Sequence, residues 1–186
     1  SFVQLEAGKI SIEREPVKLR DLVQSVLRAF RYEALRKGLD LRAEVADSVP
    51  DMLMLDPGRM RQVLFNLVGN SMKFTEQGAI TINVCLLGHR PFPGEGILLC
   101  SVADTGIGIP DDKVAVVFEP FTQADSSLQR KPHGPGIGLG IVRQRVRLMG
   151  GSVCVESRQG AGTAMHFTLL CGLDLPARAR RSRRRD

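Results

Sequence analysis

The chain has 186 residues, 43% hydrophobic and 25% charged, which suits one domain of about 150 residues with some extra. No apolar run approaches the ~18 residues of a membrane-spanning helix. No signal peptide is visible, and a chain opening on Ser1 without Met is expected to be a piece of a longer one. The formal net charge of +6 misleads, because Arg178, Arg180, Arg181, Arg183, Arg184 and Arg185 against Asp186 place +5 in the last ten residues. The body then carries about +1 and lacks the basic excess of a nucleic-acid binder. The Arg-rich end reads as a disordered linker.

In chain order, residues 2–9 read as the last turn of a preceding helix stopped by Gly8, and residues 10–14 as a short strand. Leu19, Leu22, Val23, Val26, Leu27, Phe30 and Ala34 fall at helical spacing, and Gly38 ends that helix. Residues 39–45 alternate like a half-buried strand, and residues 52–55 form a shorter one.

Asp56 followed by Pro57 reads as an N-cap and first helical residue, so the spacing predicts a helix from here to about Lys73. Positions i, i+4 and i+7 share one helix face, which gathers Arg59, Gln62, Asn66, Asn70 and Lys73 into a polar stripe. The remainder is largely apolar: Met60, Val63, Leu64, Phe65, Leu67, Val68 and Met72. A merely solvated stripe usually carries Glu, Lys or Gln, because Asn competes for backbone hydrogen bonds and forms helices poorly. Two Asn one turn apart, ending in a Lys, suit an anion and its counter-cation; a plain wet face is the alternative.

Residues 80–87 and 96–103 predict a hairpin around a Gly/Pro-rich loop at 88–94. Asp104-Thr-Gly-Ile-Gly108 follows directly. A carboxylate at a strand end can accept from an exocyclic amine such as adenine's, and the glycines let the backbone turn with φ > 0 close to a ligand. An ordinary turn would look the same. Residues 110–136 show little periodicity beyond a turn at 111–117, and unstructured segments of that length are usually functional lids. Phe118-Glu-Pro-Phe121 would pin such a lid to the core.

Gly134-Pro-Gly-Ile-Gly-Leu-Gly140 leads into a helix over residues 138–149 that is stopped by Gly150 and Gly151. Exposed N–H groups at a helix N-terminus favour anions, although a flexible hinge fits too. The stretch is no Walker loop, because Gly-Lys-Ser/Thr is absent, and it does not follow a strand as a dinucleotide fingerprint would. Residues 152–157 and 163–170 close the domain as a second hairpin around Gly160-Ala-Gly-Thr163. The whole predicts an α+β two-layer sandwich, a mixed sheet with helices on one face.

Cys85, Cys100, Cys154 and Cys171 have no C-x-x-C spacing and read as buried free thiols in a reducing compartment. His89, His133 and His166 are scattered and form no metal pattern.

Taken together, Asn66-x-x-x-Asn70-x-x-Lys73-Phe-Thr, Asp104-Thr-Gly-Ile-Gly-Ile-Pro110, Phe118-Glu-Pro-Phe121 and Gly136-Ile-Gly-Leu-Gly140 resemble the N, G1, F and G2 boxes of one family. The chain is similar, over residues 2–170, to the catalytic ATP-binding domain of sensor histidine kinases of the GHKL superfamily, in its hybrid form. Gly160 to Thr163 correspond to the G3 box. The resemblance implies a Bergerat ATP-binding fold with a mobile lid over residues 10–172. It also implies a junction to a preceding dimerisation helix at 1–9 and a linker at 173–186, after which a receiver domain would follow.

By that resemblance Asn70 would coordinate Mg²⁺ bridging the triphosphate of ATP, with Asn66 beside it and Lys73 on a phosphate. Asp104 would bind the adenine amine, Gly106 and Gly108 would shape the base pocket, and Thr163 would stand at the adenine end. Gly136 and Gly138 would cradle phosphates, with Gly134 and Leu139 in the same nucleotide-binding set. Arg130 would reach the γ-phosphate, so that Asn66, Lys73 and Arg130 carry the transfer.

ATP-hydrolysing relatives carry Glu one turn before the metal-binding Asn, as a base for water. Asn66 stands there instead and cannot take a proton, which favours a kinase over an ATPase. None of the histidines sits in a His-Asp/Glu-x-x-x-Pro helix, so the acceptor His is expected upstream of Ser1. Implied partners are that dimerisation domain and a receiver, in a homodimeric full-length protein on the cytoplasmic side; the isolated domain would be monomeric. His133 and Pro135 depart from the usual Gly-Gly-Thr-Gly lid, and Pro135 removes one N–H donor. A degenerate pseudokinase interaction module is therefore the alternative reading.

Overall fold

The structure is a computed structural model and describes residues 12–88, 92–114, 116–118 and 138–173. Helix α1 (Leu19–Lys37) buries Leu19, Leu22, Val23, Val26 and Ala34 and ends on Gly38 (φ 69°), where Leu39 N–H returns to Ala34 O at 2.9 Å. Helix α2 (Pro57–Phe74) begins as its sequence predicts, Asp56 Oδ1 accepting from Arg59 N–H at 2.9 Å with Pro57 in the first turn. A short turn α3 (Asp111–Val114) and helix α4 (Gly138–Leu148) complete the helices among the described residues.

Among the described residues the strands are β1 (Glu15–Val17), β2 (Asp40–Val45), β3 (Leu53–Leu55), β4 (Ala79–Leu86), β5 (Glu95–Asp104), β6 (Val153–Arg158) and β7 (Gly162–Gly172). They form one mixed sheet in the order β1-β3-β7-β5-β4-β2, with β6 paired to β7 and β2 parallel to β4. β6 and β3 share one edge of β7, β6 along Gly162 to Phe167 and β3 at Gly172.

Register explains the core. Ala43, Ile82, Val102, Met165 and Val155 lie in one row across five strands, and Val45, Val84, Cys100, Phe167 and Val153 in the next. The central members of these rows are buried, and α1, α2 and α4 cover that face with Val26, Leu64, Leu67, Val68, Val142 and Val146. Each such side chain contributes about 1.5–3 kcal/mol by leaving water. The opposite face carries Arg42, Glu44, Asn83, Ser101 and His166, the period-two alternation of a sheet covered on one side.

Two expectations are corrected. The first strand lies at Glu15–Val17 rather than over residues 10–14, of which 10 and 11 fall outside the described residues. Val17 is the side chain that buries there, whereas Ile12 is 36% exposed, and Pro16 is tolerated because β1 is the last strand in the order. The second concerns cysteines: all four thiols are free, but Cys154 is exposed and Cys85 only half-buried. Strand alternation turns Val153 and Val155 inward and so puts Cys154 on the outer face. No helix among the described residues is long and apolar enough to cross a membrane.

Burial raises the Cys100 thiol far above its ordinary pKa and pushes Cys171 up to about 11, so neither forms thiolate at neutral pH. Alkylation of the folded chain at pH 8, followed by mass spectrometry, is expected to modify Cys154 first and to leave Cys100 and Cys171 intact until denaturant is added. Labelling of Cys100 at the rate of Cys154 would contradict the packing described.

Candidate functional site

Of the sequence-predicted residues, Gly106 and Thr163 meet at Asp104, the last residue of β5. Its Oδ2 accepts from Ser71 O–H of α2 at 2.8 Å, and its Oδ1 accepts from Gly106 N–H at 3.0 Å and Thr163 N–H at 3.3 Å. One carboxylate thus ties together the Asn-bearing helix, the glycine turn and the start of β7. A carboxylate offers about four acceptor positions. Three are occupied by donors among the described residues, which leaves about one.

The glycine turn fits where it does because side chains are missing. A Cβ on Gly106 would stand 2.4 Å from Phe74 O and 2.9 Å from Thr75 Oγ1. Gly108 has φ 69° and lies against Arg158 O, where a Cβ would approach to 2.1 Å. Positive φ was expected at both; only Gly108 has it, and Gly106 is required by close approach instead. Gly162 (φ 108°) closes the other side, since its Cβ would meet Asp104 O at 2.0 Å.

Hydrogen bonds stitch these parts together. Ile107 N–H donates to Phe74 O at 3.2 Å, and Gly160 N–H to Ile107 O at 2.7 Å. Ile109 N–H donates to Ser157 Oγ at 2.8 Å, whose own O–H reaches Gly162 O at 2.9 Å. Thr163 Oγ1 lies 2.9 Å from Ser157 Oγ, so this residue contributes its N–H to Asp104 and its hydroxyl to the adjacent network. The Gly160 to Thr163 turn, an individually weak signal, is the outer wall of the site.

Along α2, Asn66 and Asn70 are half-buried and Lys73 is exposed, its ammonium 4.9 Å from the Phe74 ring centre. The stripe does not act as one unit. Arg59 pairs with the N-cap carboxylate, Nε to Asp56 Oδ2 at 3.1 Å, and Gln62 is exposed, which sets these two apart from Asn66, Asn70 and Lys73. Gly138 opens α4, whose next residue Leu139 packs against the core. Arg130, Gly134 and Gly136 lie outside the described residues, as do His133 and Pro135 and the greater part of the expected lid.

Three participants escaped the sequence reading. Ser71 looked like an ordinary helix residue, yet it is 5% exposed and holds Asp104. Thr75 is fully buried, and its Oγ1 has no hydrogen-bond partner among the described residues. Ser157 links the two turns. Small hydroxyls spaced i, i+4 beside Asn70 were the available signal, since Ser and Thr seldom sit buried on a helix without a polar partner.

The sequence model of the "Histidine kinase-, DNA gyrase B-, and HSP90-like ATPase" family matches residues 55–172. The chain is 38% identical over 175 residues to the sensory/regulatory protein RpfC of Xanthomonas campestris pv. campestris, covering 94% of this chain and 24% of that protein. It is 37% identical over 175 residues to the signal transduction histidine-protein kinase BarA of Escherichia coli K12, covering 94% and 18%. The sensor protein GacS of Pseudomonas syringae pv. syringae is 39% identical over 168 residues, with 90% and 18% covered. The chain therefore spans about a fifth of the length of these relatives.

Among solved structures, full-length ShkA in complex with AMPPNP superposes with TM-score 0.78 at 32% identity, over 91% of this chain and 34% of that one. The catalytic domain of histidine kinase ThkA gives TM-score 0.64 at 25% identity, over 84% and 95%. A carboxylate braced at a strand end, two glycine turns and an Asn-bearing helix thus occur here in the fold of a histidine kinase catalytic domain. The chain belongs to the histidine kinase-, DNA gyrase B- and HSP90-like ATPase family, as a catalytic domain of the histidine kinase type.

Proposed function

We propose that this domain binds Mg·ATP and donates the γ-phosphoryl group to a histidine on an upstream dimerisation domain, within a hybrid sensor kinase that passes the phosphoryl on to a receiver. The observation that carries the nucleotide assignment is the Asp104 carboxylate, braced by Ser71, Gly106 and Thr163 and left with one acceptor position. An exocyclic amine satisfies that position, and Gly106 and Gly108 keep the wall beside it free of side chains. The domain proper would span residues 10–172, with a junction at 1–9 and a linker at 173–186. The full-length protein would be a homodimer with this domain on the cytoplasmic side.

The donor set on α2 suits magnesium. Among the described residues no group of three or more His, Cys, Asp or Glu could hold a metal ion. Mg²⁺ needs no such cage, because it takes one or two protein oxygens and completes its shell with phosphates and water. The Asn70 amide oxygen would be the protein ligand, with Asn66 one turn away. Bound there, the ion would neutralise charge on the phosphates during transfer.

The chain's own residues then bind and orient. Asp104 fixes the base, Lys73 brings a cation towards the phosphates, and Arg130, Gly134, Gly136, Gly138 and Leu139 would enclose the triphosphate from the lid side. Asn66 occupies the position from which a carboxylate would deprotonate water. An amide has no basic lone pair for that task at neutral pH, so the γ-phosphoryl is kept for the histidine acceptor. His166 does not sit in an acceptor-like helix: it lies on β7, its Nδ1 2.8 Å from Ser101 Oγ.

Calorimetric titration with a non-hydrolysable ATP analogue tests both ends of this site. Asn70→Ala is expected to abolish the magnesium-dependent part of the affinity, and an unchanged affinity in magnesium would remove Asn70 from the metal. For Asp104→Asn the fold should hold, because the amide oxygen can keep the Gly106 and Thr163 bonds while its nitrogen donates to Ser71 Oγ. The outward donor then meets the adenine amine, a mismatch costing on the order of 1–3 kcal/mol. Wild-type affinity in this variant would reduce Asp104 to a turn residue.

A further inference from the structure

We infer that Lys37, at the end of α1 and far in sequence from every nucleotide-binding motif, is a positioning residue for the nucleotide site. This deepens the nucleotide-binding reading and rests on it. An α-helix leaves its last carbonyls without intrahelical partners, and they form the negative end of the helix dipole. At the end of α2 those acceptors are C=O groups of the turn that carries Asn70, Ser71 and Lys73.

Four of the acceptors there have an identifiable donor. Ser71 O accepts from Thr75 N–H at 3.0 Å, and Phe74 O from Ile107 N–H at 3.2 Å. Met72 O and Thr75 O both accept from the Lys37 ammonium, the latter at 3.3 Å. Lys37 is the last helical residue of α1, half-buried, and Gly38 turns the chain away immediately after it. Its side chain thus crosses from one helix to the other and supplies the positive charge that the end of α2 favours.

The consequence for the site follows from what that turn holds. Ser71 O–H fixes Asp104 Oδ2, and Met72 is the residue after it. Phe74 O anchors Ile107 of the glycine turn, and Thr75 is the residue after that. Lys37 therefore clamps the carbonyls that directly follow the Ser71–Asp104 and Phe74–Ile107 links. Without it, two acceptors lose their donor, and the last turn of α2 must fray or rotate to find water. Asn70 and Lys73 move with that turn, and so does the carboxylate. The route runs from the α1 terminus through backbone carbonyls, and no atom of Lys37 need touch nucleotide.

A control exists at the other end of α1. Arg20 donates to Val49 O at 3.1 Å and Ala46 O at 3.0 Å, the same cation-on-carbonyl arrangement made away from α2. Arg20→Met removes a comparable interaction from the same helix without touching the α2 terminus.

The 186-residue chain carrying Lys37→Met, Lys37→Gln, Lys37→Arg or Arg20→Met is compared with wild type at a temperature where all are folded. Two measurements are made: the dissociation constant of the non-hydrolysable ATP analogue with magnesium, and amide hydrogen exchange without nucleotide. Lys37→Met and Lys37→Gln are expected to weaken binding about tenfold and to accelerate exchange at Thr75, Gly106 and Ile107. Lys37→Arg keeps a cation and should stay within about threefold of wild type. Arg20→Met should lower the melting temperature and leave affinity within about twofold.

Wild-type affinity together with unchanged exchange in Lys37→Gln would overturn the proposal, and so would an equal loss of affinity in Arg20→Met. A wild-type chain that binds no analogue would overturn the nucleotide reading and any role of Lys37 in binding. The exchange measurement without nucleotide would then still decide whether Lys37 holds the end of α2.

Discussion

The three hydrogen bonds onto the Asp104 carboxylate are the constraint on which the rest of the site depends. They come from the last turn of α2, from the glycine turn two residues on, and from the first residues of β7, the first and last of these lying 33 and 59 positions from Asp104. A carboxylate left without donors beside the core would be costly, and two backbone N–H groups and a hydroxyl offset that cost. Its charge then has a fixed direction. The fold provides this by letting β5 run out of the sheet beside the C-terminal end of α2, with Gly106 and Gly162 allowing both backbones to close in.

The sheet plays a quieter part. Rows of Ile, Val and Met across β2, β4, β5, β7 and β6 set the height of α2 over the sheet, so Ser71 reaches the carboxylate at the strand end. The apolar stripe of α2, Met60, Val63, Leu64, Leu67, Val68 and Met72, fixes its rotation. With the rotation fixed, the other face presents the half-buried amides of Asn66 and Asn70. On the proposed function, the packing that stabilises the domain would also hold Asn66 where a hydrolytic relative carries its proton acceptor.

Much of this was legible beforehand, and for physical reasons. Asp56-Pro57 announces α2 because capping and a fixed φ are local properties, and the start of the helix agrees to the residue. The α+β sandwich follows from strand alternation and helix periodicity, which act over a few residues. The first strand was misplaced because residues 10–14 alternate like a strand, while the residue that buries is Val17. Cys154 was misread because an apolar run does not say which of its faces turns inward.

Ser71, Thr75, Ser157 and Lys37 were illegible for a different reason. Ser71, Ser157 and Lys37 act through partners between five and 48 positions away, and Thr75 meets Lys37 only through its carbonyl, so the folded register alone brings these pairs together. Spacing within one helix marks a face; it cannot say that a lysine closing α1 will cap α2. The lid residues Arg130, Gly134 and Gly136 rest on the family resemblance alone.

The central claim is that the free acceptor position on Asp104 reads an exocyclic amine. The most direct measurement uses the unmodified chain and two ligands, the magnesium complexes of ATP and of ITP, whose base carries a carbonyl where adenine carries the amine. Their dissociation constants are compared by calorimetry in one buffer. The account predicts ATP to bind at least about tenfold more tightly, because the ITP carbonyl would face the carboxylate with no proton between them. Equal affinities would contradict it, showing that the braced carboxylate serves the turn and that recognition of the base lies elsewhere.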